Sequence, residues 1–366
     1  MPDKLIFDNV PEPLFDDTAP VTAPIESMAQ SGQMRRLGEK IPRGVFLGSS
    51  SWNFPGWRGM VYSEMSGEKR LAEEGLTAYS KYPVFRTVGI DRSFYRPLTA
   101  THYRHFADQV PENFRFLVKA PQSVTDFVLR DDRGRPTGAN PDYLNVEKAL
   151  ETFLTPVAEG LGEKAGPLVF EFAALPREAI ADVNLRIKEI ERMAAFFSEL
   201  KTRSPDAGAL LTAEMRTARL LTKRYVNELR ASGARPVISL HPSMPDIRRQ
   251  IEMLRYFDAP DIAIGPWVAK GDIVVRWSLS RGKTYRTLNE AFKPFDRIQI
   301  PDIVTREAVA WLMKQAVKSG VRGFAVANNK AEGCAPLTMR AIAERITDYR
   351  VTDTEPDTLP MPLPER

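Results

Sequence analysis

VFLGSSSWNFPGW, residues 45 to 57, opens on an apolar run, Val45, Phe46 and Leu47, with the character of a buried strand. It then breaks into three serines and a loop in which Trp52 and Trp57 bracket the turn signal Pro55-Gly56. An apolar run ending on polar residues recurs down the chain. The strand candidates are GVFLGS, VFRTVGI, FRFLVKA, PLVFEF, ALLTAEM, PVISLH, IVVRWS and GFAVANN, eight in all. Segments of helical period separate them. Residues 143 to 158 carry Val146, Leu150, Phe153 and Val157 on one face, and residues 180 to 200 carry Val183, Ile187, Ile190, Ala194 and Phe197. Further helices are predicted over 219 to 231, 245 to 257, 305 to 319 and 336 to 348. Short apolar strands alternating with helices are the pattern of parallel strands joined by crossovers. Eight such units over about 300 residues predict a single α/β (β/α)8 TIM-type barrel, for which roughly 250 residues is typical. A doubly wound open sheet is the competing arrangement, because alternation alone does not establish closure.

The barrel domain is expected over residues 43 to 350, with an extended or mobile N-terminal tail over 1 to 42 and a mobile C-terminal tail over 351 to 366. The N-terminal stretch carries prolines at 2, 11, 13, 20, 24 and 42 with little periodicity, although LIFDNVPEPLF has enough apolar residues to dock as a strap. Two insertions stand out: LRDDRGRPTGANPD, residues 129 to 142, and SLSRGKTYRTLNEAFKPFDRIQIPD after the seventh strand. The chain has 366 residues, 43% of them apolar, enough for a substantial core. Lys+Arg of 51 against Asp+Glu of 47 gives a net charge of +4, and the pI near 9.0 favours phosphate-bearing partners mildly. A single cysteine, Cys334, excludes an internal disulfide framework or a multi-cysteine metal site and points to a reducing, cytoplasmic compartment. No apolar run approaches the roughly 18 residues that span a bilayer, and the start MPDKLIFDNVPEP lacks the pattern of a secretory leader.

In a barrel the carboxyl ends of the strands carry the site. In order they offer Ser49, Ser50 and Trp52; Asp91, Arg92 and Tyr95; Lys119; Glu171; Glu214 and Arg216; His241; Arg276 and Trp277; and Asn328 and Asn329. Lys119, Glu171, Glu214 and Arg276 each follow largely apolar residues, so strand alternation places them inside or at the mouth of the barrel. Charges there either pair with one another or form an anion pocket, with phosphate or carboxylate as the natural guest. Glu171 and Glu214 could also serve as an acid/base pair or share one cation with Asp91.

Three histidines bound the metal chemistry. His102 and His105 fall in the helical segment THYRHFADQV and read as surface residues, leaving His241 alone placed for a site. A polynuclear zinc centre therefore lacks ligands, and no cofactor is expected. One Mg2+ or Mn2+ on Glu171, Glu214 and Asp91 remains compatible with the carboxylates. There is no G-x-S-x-G elbow, no phosphate-binding loop of the G-x-x-x-x-G-K-[ST] type and no G-x-G-x-x-G turn. Cys334, in NNKAEGCAP, reads as a small loop residue.

These segments resemble the YecE-like family, also called domain of unknown function 72. GSSSWNFPGWRGMVY is similar to its G-T-S-G-W…Y-x-G-W…F-Y opening, FRTVGIDRSFYRP to its F-x-x-V-E-x-N-x-T-F-Y-R segment and FRFLVKAP to its F-x-F-x-x-K-x-P segment. GPLVFEF resembles G-P-x-L-x-Q-x-P, AEMR resembles V-E-x-R, VVRW resembles V-R-x-H-G, and VANNKAEGCAP resembles F-N-N…G-x-A-x-x-N, in the same order over about residues 44 to 345. The resemblance implies a TIM-type barrel and carries over Trp52, Phe94, Tyr95, Lys119, Glu214, Arg216, Arg276, Asn328 and Asn329. Gly89 stands where the family has Glu, Asp91 where it has Asn, Glu171 where it has Gln, and Ser278-Leu279 where it has His-Gly.

The leading expectation is a barrel enzyme, a hydrolase or lyase, acting on an anionic, phosphate-containing small molecule. Lys119, Arg216 and Arg276 would bind charge, Glu214 or Glu171 would act as base, and Trp52 and Trp57 would wall the mouth. The alternatives are a nucleic-acid-binding module using the loop SRGKTYR and exposed aromatics, and a glycosidase-like pair of Glu171 with Glu214.

Overall fold

The structure, a computed structural model, describes residues 23 to 131, 135 to 208, 210 to 260, 266 to 279 and 282 to 352. All eight strand candidates form strands: β1 (Val45–Ser49), β2 (Phe85–Ile90), β3 (Arg115–Lys119), β4 (Ala165–Phe172), β5 (Leu211–Met215), β6 in two pieces (Arg235–Pro236 and Ile238–Leu240), β7 (Ile273–Trp277) and β8 (Gly323–Ala327). Every pairing among them is parallel. β1 pairs with both β2 and β8, the first piece of β6 pairs with β5 and the second with β7. Only Val237 separates those two pieces, and its N–H donates to the carbonyl of Ala213 on β5 at 2.9 Å. The sheet therefore closes on itself, which makes the fold an α/β barrel and removes the open-sheet alternative.

Helices Ala100–Asp108, Val183–Arg203, Lys223–Ser232, Ile247–Asp258, Ile303–Lys318 and Ala335–Thr347 lie in the intervals between strands and after β8. The helical run from Val146 to Leu161 contains a wide π turn at Leu150–Leu154. Pro156 lies two residues past its end, and a proline removes an N–H and crowds the carbonyl four residues back, here that of Thr152 within the π turn, which a wider turn relieves.

Alternation along the strands divides the core. Phe46, Leu117, Val169, Val237, Val274, Phe324 and Val326 form the cluster inside the barrel, with Phe46 and Phe324 stacked at 4.6 Å. Their strand neighbours join the larger layer between sheet and helices. At Gly48 on β1 a Cβ would lie 1.9 Å from the carbonyl oxygen of Thr87, so only glycine lets β1 and β2 approach this closely.

Residues 32 to 40, expected within an extended tail, instead form the helix Gly32–Lys40, which buries Met34 and Leu37. Arg86 on β2 anchors its end by donating to the carbonyls of Gly38, Ile41 and Pro42 at 2.9, 2.9 and 2.7 Å. The three-residue spacing of Met34 and Leu37 is the only apolar period this segment offers, too short to stand out by sequence. LIFDNVPEPLF and residues 353 to 366 lie outside the described residues. The insertion 129 to 142 contributes a hairpin, Val128–Arg130 with Pro136–Ala139, and the insertion after β7 contains the helix Tyr285–Phe292.

Candidate active site at the barrel mouth

On β3, β4 and β7 the position two residues after an apolar interior side chain is charged, on β5 Glu214 follows Thr212 by the same step, and these charged side chains meet. Arg276 on β7, with a side chain 4% exposed, is the hub. Its Nη2 donates to both carboxylate oxygens of Asp91 at 2.7 and 2.9 Å, and its Nη1 donates to Glu171 Oε2 at 2.9 Å and to Glu214 Oε2. Arg216, just past β5, brings Nη2 to 2.8 Å from Glu171 Oε2 and 2.9 Å from Glu214 Oε1. Lys119 Nζ lies 3.1 Å from Glu171 Oε1 and 3.6 Å from the centre of the Phe94 ring. Glu171 and Glu214 are register partners on adjacent strands, which is why the same two guanidinium groups reach both.

Neutral groups complete the network. Arg216 Nη1 donates to Ser239 Oγ at 3.0 Å, Ser239 Oγ donates to Glu214 Oε1 at 2.7 Å, and Arg216 Nη2 donates to Ser278 Oγ at 3.3 Å. Gln250 holds the backbone of Ser239 from both sides, accepting from its N–H at 2.8 Å and donating to its carbonyl at 2.9 Å. Three carboxylates thus face three cations. That balance is what lets Glu214 sit at 0% exposure, since buried charge is tolerated only when paired and hydrogen-bonded.

The electrostatics follow from the pairing. Burial alone would push the Glu171 carboxyl up, but Arg216, Lys119 and Arg276 outweigh it and hold the group well below the usual carboxylate range. Burial works against the charged form of Arg276, and Asp91, Glu214 and Glu171 more than reverse this. His241 has the opposite fate. Burial, and then the charge of Arg216, push its imidazole down to about 4, so it is neutral at neutral pH.

A pH dependence follows from His241. Because its folded pKa is depressed, the unfolded chain binds more protons between pH 6.5 and about 4, and stability falls as pH drops through that window. From 6.5 to about 4, at about 1.4 kcal/mol per unit, the full linkage is about 3 kcal/mol. Screening at this partly exposed ring reduces it to about 1–2 kcal/mol. Protonation of Glu171 adds a further loss below the ordinary carboxylate range. Denaturation midpoints measured from pH 7 to 4 should fall less steeply for His241→Asn, and identical slopes for the two chains would contradict this.

Other residues at the strand ends have packing roles. Trp52 is 2% exposed and packs edge-on to Phe106 at 5.2 Å, and Trp57 is 0% exposed beside Phe54, Tyr79 and Phe85. The expected tryptophan wall is thus replaced by a tryptophan core beneath the loop, the hydroxyl of Tyr62 donating to the carbonyl of Trp52 at 2.5 Å. Ser49 Oγ donates to the carbonyl of Ser51 at 2.6 Å, Ser50 Oγ accepts from Asn328 Nδ2 at 3.0 Å, and Asn329 Oδ1 accepts from Trp57 Nε1 at 3.3 Å and Ala335 N at 2.8 Å. Tyr95, by contrast, is 46% exposed, its ring edge-on to Phe94 at 5.1 Å.

His102 joins the cap of the helix Ala100–Asp108, and His105 pairs with the carbonyl of Glu73 at 2.9 Å. Cys334 is fully buried, its thiol pushed up to about 12 by that burial. Ser239, Ser278 and Gln250 escaped the sequence reading of the site. For Ser239 the signal was a polar residue two places after Val237 in PVISLH, the same interior spacing that marks the charges.

Among the described residues no group of three or more His, Cys, Asp or Glu side chains is arranged to hold a metal ion. The three carboxylates considered for one instead share the guanidinium of Arg276. No helix among the described residues is long and apolar enough to cross a membrane.

The chain is similar in fold to a DUF72 family protein from Enterococcus faecalis V583, with a TM-score of 0.50, 14% identity, and coverage of 86% of this chain and 99% of that one. It is also similar to a DUF72 family protein from Thermotoga maritima MSB8, with a TM-score of 0.47, 16% identity, and coverage of 81% and 96%. Comparison with curated proteins gives no match. The family model described as "Protein of unknown function DUF72" matches residues 46 to 362, so the chain belongs to the DUF72 family.

Proposed function

We propose that the barrel mouth is the active site of an enzyme acting on an anionic, phosphate-containing substrate, with Lys119, Arg216 and Arg276 as the receiving cations. The observation that supports this reading is their convergence on one carboxylate. Glu171, 13% exposed at its side chain, has cationic nitrogens of all three at 3.1, 2.8 and 2.9 Å. Such a set of charge-assisted donors is what a phosphate dianion requires, so Glu171 holds the place of the substrate. A phosphate taking those donors would free the Glu171 carboxylate from the charges that depress its pKa, leaving a general base beside the substrate. Glu214, with no exposure, anchors the two arginines from below.

The carboxylate-pair alternative needs one carboxyl protonated at working pH. Here Glu171 is held ionised and Glu214 is out of reach of solvent. The nucleic-acid alternative rests on SRGKTYR, of which Ser280 and Arg281 lie outside the described residues.

The test is Glu171→Gln, the residue that the family pattern carries at this position. Removing one negative charge from a balanced cluster should tighten inorganic phosphate binding about tenfold, or about 1.4 kcal/mol, by calorimetric titration. Lys119→Met in that background should reverse the gain. Absence of phosphate binding by both the unsubstituted chain and Glu171→Gln would remove the reading.

A further inference from the structure

A cavity of about 370 Å3 opens beside the mouth, between the ends of β6 and β7 and the first turns of the helices Ile247–Asp258 and Ile303–Lys318. Strand alternation ties it to the ion-pair network. Ser239 and Arg276 enter the network, while their successors Leu240 and Trp277 line the cavity. Ser278 then reaches Arg216 at 3.3 Å, and Leu279 lines the cavity again. His241 stands at the boundary, lining the cavity while feeling the charges of Arg216, Glu171, Glu214 and Lys119.

We infer that this cavity is a second subsite that holds the apolar or aromatic body of a phosphate monoester whose phosphate occupies the mouth. The inference rests on the reading of the mouth as an anion site and adds the substrate class. Its walls are Leu240, Ile247, Trp277, Leu279 and Val304, and its volume lies in the range of small-molecule sites.

Two helix N-termini would ordinarily invite a second anion. Here both are already capped by carboxylates that line the cavity. Asp246 Oδ1 accepts from Arg249 N at 3.1 Å, and Asp302 accepts from Thr305 N at 2.9 Å and Thr305 Oγ1 at 2.6 Å. Arg248 also lines the cavity, so two carboxylates face one cation there; the net negative lining disfavours a second phosphate and leaves the apolar walls to select an uncharged group. Val304, 62% exposed, stands at the cavity rim, where a substitution changes the lining without disturbing the core.

The experiment titrates the chain with inorganic phosphate and with 1-naphthyl phosphate and takes the ratio of the two affinities. The expected ratio is about tenfold or more in favour of the naphthyl ester, from burial of its rings. Val304→Glu, which adds a charge at an exposed position, should bring the ratio close to one. A ratio near one in the unsubstituted chain, with phosphate binding intact, overturns the subsite and leaves the mouth reading standing. A large ratio that Val304→Glu does not change overturns the assignment to this cavity. Failure of both probes to bind overturns the mouth reading and the subsite together.

Discussion

Arg276→Met should destabilise the chain by about 3–5 kcal/mol, the cost of removing one partner from a buried ion pair. The substitution keeps an unbranched apolar stem and so leaves little cavity. It strips two hydrogen bonds from Asp91 and one each from Glu171 and Glu214. Three carboxylates would then face two cations in a layer where Glu214 has no exposure to water. Arg276→Lys should recover little, because a single ammonium cannot reproduce the planar fork that serves three carboxylates at once.

The diagnostic companion is Arg276→Met with Glu214→Gln, which restores charge balance. If the loss comes from uncompensated charge, the double variant should be more stable than the sum of the two single changes by about 1 kcal/mol or more. Urea midpoints for the four chains measure this. A loss below about 1 kcal/mol for Arg276→Met, or strict additivity in the cycle, would show that the network contributes little to stability.

The fold was legible because each strand announces itself twice, by an apolar run and by the polar residue that ends it. Leu117 to Lys119, Val169 to Glu171 and Val274 to Arg276 each step two residues along an interior face, so the charge at the end inherits the direction of the apolar residue before it. Arg216 and His241 lie past their strands, where period two no longer fixes direction, and their relation to Ser239 depends on the stagger between β5 and β6. Trp52 and Trp57 show the same limit. Proximity to the first strand end was readable, but a loop has no periodicity to say whether a ring faces the mouth or the core, and here Phe106 and Phe54 take the rings inward.

The departures from the family pattern become intelligible in space. Gly89 on β2 and Glu171 on β4 flank β3, which carries Lys119. A Cβ at Gly89 would already come within 3.0 Å of the Ser50 backbone. Against the resembled pattern, with Glu at the position of Gly89, this chain carries its carboxylate on the other side of the lysine strand, where Glu171 reaches Lys119 at 3.1 Å.

Glu332→Ala is expected to cost about 3–5 kcal/mol as well, although nothing in NNKAEGCAP marks this residue in the sequence. Glu332 is 0% exposed, its Oε2 accepts from Arg306 Nε at 2.9 Å, and its Oε1 accepts from the N–H of Asp302 at 2.5 Å. Its carbonyl accepts from the N–H groups of Gln299 and Ile300 at 2.6 and 3.0 Å. Glu332, in the loop after β8, thus clasps the end of the insertion that follows β7. At the next position, Gly333 with φ 122°, a Cβ would come within 2.4 Å of the carbonyl oxygen of Arg297.

Truncating Glu332 leaves the Arg306 guanidinium buried without its carboxylate and the Asp302 N–H without its acceptor, so the loss should exceed that of an exposed pair several-fold. The same insertion carries Tyr285, whose ring lies 4.1 Å from Lys330 Nζ two residues before Glu332, so loosening the clasp should reach the helix Tyr285–Phe292. Hydrogen exchange in Glu332→Ala should therefore rise over residues 296 to 302 and around Tyr285 before it rises in β1 to β5. Glu332→Gln, which keeps an acceptor for Asp302 but not the charge for Arg306, should fall between the two chains. Uniform exchange across the barrel, or a stability loss under about 1 kcal/mol, would mean that the insertion is held by its apolar contacts through Phe292 and Phe295 rather than by this clasp.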